Sequence, residues 1–212
     1  AGLSLDTSGT MLLKNVAADA NSVTGLSAVN PYTAETRQGV TLLSSHFDIN
    51  QIFGAQIVTN GPVLLNGVSA SYTREQFGLQ VIYSNPDVPV EKVEFLSTLG
   101  KNYFDGNGSN GLLVLGAKSF TGSYVSVRNN GQVVPQVGMG VSGVDAPVTL
   151  TCAVVTGNPA DGIQVGIGAA LLKIVNGMVE GNARLDPDLY QNIRMNGSAT
   201  TLDLKSGVCS GW

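Results

Sequence analysis

Apolar and polar residues alternate along many short segments of this chain, which is the pattern of half-buried β-strands. In residues 148–155, one apolar face is formed by Val148, Leu150, Cys152 and Val154. The Cys152 side chain is therefore expected to point into the core. Similar segments recur along the chain, and about ten to fourteen short strands fit the pattern.

Seven Asn-Gly dipeptides punctuate these segments. Both central residues of a type I′ turn take positive φ, which Asn tolerates and Gly adopts freely, and this turn joins antiparallel strands. The sequence therefore predicts an all-β fold, an antiparallel β-sandwich or jelly-roll-like domain with many hairpins. One hairpin is expected between residues 124–128 and 132–141. The dipeptides are Asn60-Gly61, Asn66-Gly67, Asn107-Gly108, Asn110-Gly111, Asn130-Gly131, Asn176-Gly177 and Asn196-Gly197.

Two short helices are also predicted. Residues 89–100 have a proline at the start, apolar residues at every third position and a glycine after the end, which are helix signals. Residues 186–193 begin with an Asp-Pro-Asp sequence that is typical of an N-cap and a single turn. No tandem repeat of roughly 20–50 residues is visible, so a solenoid or a propeller is not expected.

The N-terminal segment gives the sharpest functional hypothesis. We divide the chain into an extended strand, residues 1–14, and a single β domain, residues 15–212. A strand that alternates in this way can complete the open sheet of a neighbouring copy, although it can equally pair within its own sheet. The residues predicted to fill the neighbour's groove are Leu3, Leu5, Gly9, Met11 and Leu13.

Composition narrows the class of protein. Hydrophobic residues make up 43% of the chain, but charged residues only 12%, about half of the ~25% usual in globular proteins. The net charge is −4, and no two Lys or Arg residues are closer than nine positions, which argues against nucleic-acid binding. No run approaches the ~20 apolar residues of a membrane helix, so membrane insertion is not expected.

The two cysteines, Cys152 and Cys209, are predicted to form a disulfide, because a pair in a chain of this composition favours an oxidising compartment. Two buried free thiols are the alternative. The chain starts at Ala1, which fits either removal of a signal peptide or trimming of an initiator Met. An extracellular or cell-surface location is predicted, with a virion as the alternative.

No catalytic, cofactor or metal site is predicted. Ser44, the single histidine His46, and Asp48 would share one strand face, but they would lie in a row, whereas a triad places the imidazole between the other two groups. A transition-metal site lacks clustered His and Cys ligands. In residues 105–116, oxygen ligands alternate as in a calcium loop, but the glycine and the bidentate acid are missing from their required positions.

These observations favour a non-enzymatic structural subunit of an extracellular filament or surface assembly, similar in role to a pilus or fimbria. The expected partner is another copy of the chain, held through the N-terminal strand. The alternatives are a virion structural protein, such as a capsid, decoration or spike subunit, and a secreted carbohydrate-binding adhesin that recognises a cell-surface glycan. The adhesin would require exposed aromatic residues, and the chain has one tryptophan, Trp212, and one adjacent aromatic pair, Tyr103-Phe104.

Overall fold

A computed structural model describes residues 1–31, 37–143, 147–166, 171–183, 191–196, 201–205, 207 and 209–210. This part of the chain contains twenty β-strands and no helix, and so no helix that could cross a membrane. The strands are β1 (Leu3–Asp6), β2 (Met11–Lys14), β3 (Thr24–Asn30), β4 (Val40–His46), β5 (Phe53–Thr59), β6 (Val63–Ser69), β7 (Leu79–Ile82), β8 (Val93–Leu96), β9 (Asn102–Tyr103), β10 (Leu112–Leu115), β11 (Phe120–Ser123), β12 (Val125–Arg128), β13 (Met139–Ser142), β14 (Val148–Thr151), β15 (Val154–Thr156), β16 (Ile163–Val165), β17 (Leu171–Val175), β18 (Met178–Glu180), β19 (Ile193–Met195) and β20 (Thr201–Lys205).

All pairings between these strands are parallel, and each strand pairs only with strands of the preceding and following turn of chain. The first sheet has the order β1-β3-β5-β7-β10-β13-β16-β19, and the remaining strands form the second sheet. The chain is therefore a β-solenoid of eight coils. The predicted antiparallel sandwich or jelly roll is wrong, because alternation along a strand is the same whichever direction its neighbour runs.

The coils form a tandem repeat whose length varies. Leu3, Leu26 and Ala55 occupy equivalent places in the first three coils, yet they are 23 and 29 residues apart. The expectation that no repeat exists was wrong, because insertions at the corners hide the period from a search at fixed spacing.

Inward side chains of successive coils stack in rows and form one continuous core. In the second sheet, Val63 pairs with Val93 and Val93 with Phe120, and all three are buried. Aromatic contacts reinforce this stack, since the Phe95 ring centroid lies 5.2 Å from that of Phe120. A single coil cannot bury its own inward face, so each coil depends on the next.

A ladder of asparagine amides runs through the corner that leads back into the first sheet. Nδ2 of Asn107 donates to Oδ1 of Asn130 over 2.9 Å, and Nδ2 of Asn130 donates to Oδ1 of Asn158 over 3.1 Å. Asn158 continues the ladder to Asn182 in the same way, and Thr73 takes the asparagine position in the third coil, where its hydroxyl donates to Asn107. In the first two coils, Nδ2 of Asn21 donates to Oδ1 of Asn50 over 2.9 Å. We call Asn21, Asn50, Thr73, Asn107, Asn130, Asn158 and Asn182 the asparagine ladder.

The residue before each ladder position has a left-handed backbone with φ between 52° and 71°. This conformation turns the chain sharply and costs roughly 1 kcal/mol or more in a residue with a Cβ. Yet Ile49 and Tyr72 adopt it as well as Gly106, because the parallel pairing on both sides leaves no other path. The residues are Ala20, Ile49, Tyr72, Gly106, Asn129, Gly157 and Gly181.

Within the described residues, the Asn-Gly dipeptides therefore do not mark antiparallel hairpins. Asn130 belongs to the ladder, and Asn60 is buried at the corner between β5 and β6. The hairpin expected over 124–141 is wrong, because β12 pairs with β9 and β15 in the second sheet, whereas β13 lies in the first. Gly197 lies outside the described residues.

The helix predicted at 89–100 is also wrong. These residues contain β8, which pairs with β6 and β11. The three-residue spacing of the apolar positions arises because Val90 lies at a corner, where it forms an isolated bridge with Ala117. In the second predicted helix, 186–190 lie outside the described residues and Ile193 begins β19.

Residues 1–14 form the first coil and not one continuous strand. The strand β1 pairs with β3 in the first sheet, and β2 pairs with β4 in the second. Gly9 lies in the corner between them. Whether this segment also contacts another copy stays a prediction.

The disulfide between Cys152 and Cys209 is confirmed, with the two Cα atoms 5.6 Å apart. Cys152 occupies the corner between β14 and β15 with φ of 53° and is buried. The bridge therefore ties the sixth coil to the segment that follows β20.

Candidate functional site

A row of polar side chains lies two residues before the ladder positions of the first five coils; Ser71 in this row is buried, and the other members are partly or fully exposed. Oδ1 of Asp19 accepts from the backbone N–H of Asp48 over 2.7 Å, and Oδ1 of Asp48 accepts from the N–H of Ser71 over 2.7 Å. Asp105 accepts from the N–H of Arg128 over 2.8 Å. We call Asp19, Asp48, Ser71, Asp105 and Arg128 the outer polar row. Its oxygens satisfy backbone donors that the sharp corner turns away from the strand ladder.

His46 is held by this row and not by the residues that flank it in sequence. Its Nδ1 lies 2.7 Å from Oδ2 of Asp19 on the preceding coil. Ser69 lies beside His46 on the next coil, but its hydroxyl donates to Asp48 over 2.7 Å. Ser44 lies at a corner with φ of 45°. The described residues thus contain no hydroxyl–imidazole hydrogen bond at His46, and we propose no hydrolytic role for it.

Asp19, His46 and Asp48 also bring three possible metal-ligand atoms within 4.8 Å of one another. Two of their carboxylate oxygens already accept backbone hydrogen bonds in the outer polar row. The cluster is therefore explained by the corner geometry. Asp19 is 27 residues from His46, so this contact can be found only once the register of the coils is known.

The calcium-like loop is divided between the outside and the inside of the fold. Asp105 is in the outer polar row, whereas Asn107 and Ser109 are buried. Oδ1 of Asn107 accepts from the N–H and hydroxyl of Thr73. Burial raises the pKa of Asp105, and hydrogen bonds from Ser126 and from the N–H of Arg128 oppose this effect. The three oxygen groups do not converge on one point.

The first coil carries all of the residues that are predicted to mediate assembly. Met11 and Leu13 are inward and almost completely buried, and Leu3 and Leu5 pack partly buried against the core. Gly9 is exposed in the corner. The outer edges of β1 and β2 have no strand partner among the described residues.

At the opposite end of the solenoid, the inward residues of β20 are more exposed than Met11 and Leu13 of the first coil. Leu202 and Leu204 continue the rows of Leu172 and Ile174, yet they are 41% and 60% exposed. A cavity of about 320 Å³ opens between Leu204 and the seventh coil. It is lined by Ile174, Gly177, Val179, Ile193, Leu204 and Lys205.

These two ends and the outer polar row are the candidate functional surfaces. No protein-family model matches the chain, and neither curated proteins nor solved structures give a significant match. Functional proposals therefore rest on the geometry of the solenoid itself.

Proposed function

We propose that the protein is a non-enzymatic structural subunit that assembles head to tail, with the first coil of one copy continuing the solenoid of the next. The observation that carries this proposal is the exposure of Leu202 and Leu204, which are inward residues that no further coil of the described residues covers. An edge that combines unpaired strands with apolar side chains invites pairing with another strand. A second copy presents suitable strands at β1 and β2.

The first coil has the dimensions of an internal coil. Leu3 is the first inward residue of this coil in the first sheet, and Met11 is the first in the second sheet. These two residues are eight positions apart. The equivalent interval is also eight residues from Ala55 to Val63 and nine from Ile193 to Leu202. A docked copy can therefore keep both sheets in register without reshaping its corner.

This register pairs β20 of one copy with β2 of the next, so that Leu202 covers Met11 and Leu204 covers Leu13. Full burial of a leucine contributes about 1.5–3 kcal/mol, so covering the exposed parts of both leucines contributes roughly 2 kcal/mol. New strand hydrogen bonds add to this. Because the repeated contact is a translation with a twist and does not close on itself, the product is an open filament.

The same register places Lys205 beside Lys14, at the ~4.8 Å spacing of paired strands. Two exposed like charges at this distance repel by about 1 kcal/mol in water, and salt screens the repulsion. Assembly should therefore strengthen as the ionic strength rises. An extracellular or cell-surface setting belongs to the proposal, because the Cys152–Cys209 disulfide is typical of oxidising compartments.

The test is light scattering together with electron microscopy over a range of protein and salt concentrations. We expect filaments whose length grows with concentration, and we expect Leu204→Asp to abolish them, because a carboxylate would enter the apolar contact. Val133→Asp is the matched control, since Val133 is 63% exposed, close to the 60% of Leu204, but lies in the middle of the solenoid. A monomer under all conditions, or equal assembly of both variants, would overturn the proposal.

A further inference from the structure

The outer face of the first sheet carries two rows of outward residues, which stack from coil to coil. Inward and outward residues alternate along its strands, as they do in β5 and β10, so each strand contributes one residue to each row. The first outward row runs in register through the second to seventh coils, and none of its members is charged. They are Ser27, Gln56, Gln80, Leu113, Gly140 and Gln164.

The second outward row changes in size along the solenoid. In the second to fifth coils it consists of large apolar side chains, which are all partly exposed, and in the sixth and seventh coils it consists of a serine and a glycine. A contiguous apolar patch on an outer face indicates an interaction surface. The members of this row are Val29, Val58, Ile82, Leu115, Ser142 and Gly166.

The change in size places a depression next to an apolar ridge on the same face. Both outward residues of the sixth coil are small, Gly140 and Ser142. A cavity of about 410 Å³ opens over them, and Leu113 and Leu115 of the fifth coil line its border. The second to fourth coils instead present Val29, Val58 and Ile82. One half of the face therefore has the shape that the other half requires.

We propose that this face binds the same face of a second copy, with the two solenoids antiparallel. A two-fold axis parallel to the strands makes each outward row face its own counterpart and makes the third coil of one copy face the sixth coil of the other. Val58 then enters the depression at Ser142 of the second copy. Ile82 packs on Leu115 of the second copy at the centre, and the symmetry repeats both contacts.

The first outward row and the ends of the face fit the same arrangement. Gln56 faces Gly140 of the second copy, again a large side chain against a small one. Asp6 pairs with Val29 in the first coil of the second row, and it faces Asn196 of the second copy, whose amide is a hydrogen-bond donor. If the solenoids were parallel, each coil would face its own counterpart. Val58 would then meet Val58, and the depression would stay unfilled.

The area of the face is sufficient for a weak dimer. About four residues of strand at ~3.3 Å and eight coils at ~4.8 Å give a face of roughly 13 by 38 Å. Two such faces bury about 1,000 Å², which is where specific interfaces begin. We therefore expect the dimer at high protein concentration. The contact lies on the side of the solenoid and does not depend on head-to-tail assembly at its ends.

The test is sedimentation equilibrium of the full chain carrying Leu204→Asp, over a rising series of protein concentrations. This background removes the proposed end contact, so the side contact is measured independently of it. We expect a monomer–dimer equilibrium. Addition of Ile82→Asp should abolish the dimer, because two carboxylates would enter its apolar centre.

Leu96→Asp is the matched control. Leu96 is a partly exposed outward residue of the same coil as Ile82, but it lies in the second sheet. Its replacement should leave the dimer unchanged. Circular dichroism establishes that each variant is folded.

Ser142→Leu tests the shape of the contact without adding a charge. The larger side chain fills the depression and should weaken the dimer about tenfold, whereas unspecific apolar association would become stronger. For the orientation, a short thiol cross-linker should join a Val58→Cys chain to a Ser142→Cys chain and should not join two Val58→Cys chains.

Four outcomes would overturn the proposal. They are a monomer at every concentration, equal loss of the dimer in the Ile82→Asp and Leu96→Asp variants, a stronger dimer in Ser142→Leu, and cross-linking of two Val58→Cys chains to each other.

Discussion

Replacement of Asn130 by alanine tests whether the asparagine ladder holds the coils together. Asn130 is fully buried. Its Oδ1 accepts from both the backbone N–H and Nδ2 of Asn107, each over 2.9 Å. Alanine would leave these two donors buried without an acceptor, whereas Oδ1 of Asn158 would still accept from the N–H of residue 130.

The expected loss of stability follows from those two orphaned donors. Each buried donor without a partner costs about 1–3 kcal/mol, so the substitution should lower the free energy of unfolding by roughly 4 kcal/mol. For a chain of this length, 1 kcal/mol corresponds to about 2–4 °C in melting temperature. The melting temperature should therefore fall by about 8–16 °C.

Urea unfolding followed by circular dichroism measures this change, and hydrogen exchange locates it in the coils that contain Asn107 and Asn158. The control is Asn129→Gly, because Asn129 is the exposed neighbour with φ of 52°, which glycine adopts without strain. We expect it to change stability by less than about 0.5 kcal/mol. Equal stability of the two variants would refute the role assigned to the ladder.

Three further outcomes are expected. Gly54→Ala should cost about 3 kcal/mol in chemical unfolding, because its Cβ would lie 2.6 and 2.9 Å from backbone carbonyl oxygens, whereas Gly9→Ala, whose nearest neighbour is 3.5 Å away, should be neutral. Burial raises the pKa of Asp105, so ionisation of this carboxyl group destabilises the fold as the pH rises above the ordinary carboxyl pKa. The Asp105→Asn variant should therefore be more stable than wild type at pH 7 and equally stable near pH 3. A stability difference that does not change with pH would contradict this prediction. The Cys152–Cys209 bridge joins residues 57 positions apart, so Cys152→Ser should lower the free energy of unfolding by about 4 kcal/mol on the chain-entropy model. Reduction of the wild type should abolish this difference in stability. Equal stability of the variant and the wild type under oxidising conditions would contradict the prediction.

The segment around Cys152 shows which structural features the local alternation of residues predicts correctly and where that prediction ends. Val148 and Leu150 point inward as their alternation predicts, and Cys152 is buried. The alternation then shifts, because the left-handed corner at Cys152 starts a new strand in which Val155 is fully buried. The pattern of apolar residues alone cannot distinguish such a corner from a continuous strand.

The candidate surfaces were harder to predict than the strands. His46 and Asp19 meet because they lie at adjacent positions on neighbouring coils, and the ring of Tyr72 lies against the backbone of Gly106 on the next coil. Neither relation has a fixed spacing in the sequence. Leu3, Leu5, Met11 and Leu13 were predicted as one apolar face, and they do face one interior, but from two different strands.

The sequence by itself determined the all-β class, the low surface charge and the Cys152–Cys209 pair. Alternation depends only on residues that are neighbours in the chain, charge is a matter of composition, and two cysteines allow a single pairing. Only the tertiary structure decided that the strands are parallel and that the described residues stack as eight coils of a solenoid. Sheet direction depends on the path of the corners and on hydrogen bonds between residues more than 20 positions apart. Alternation along a single strand carries no information about that path.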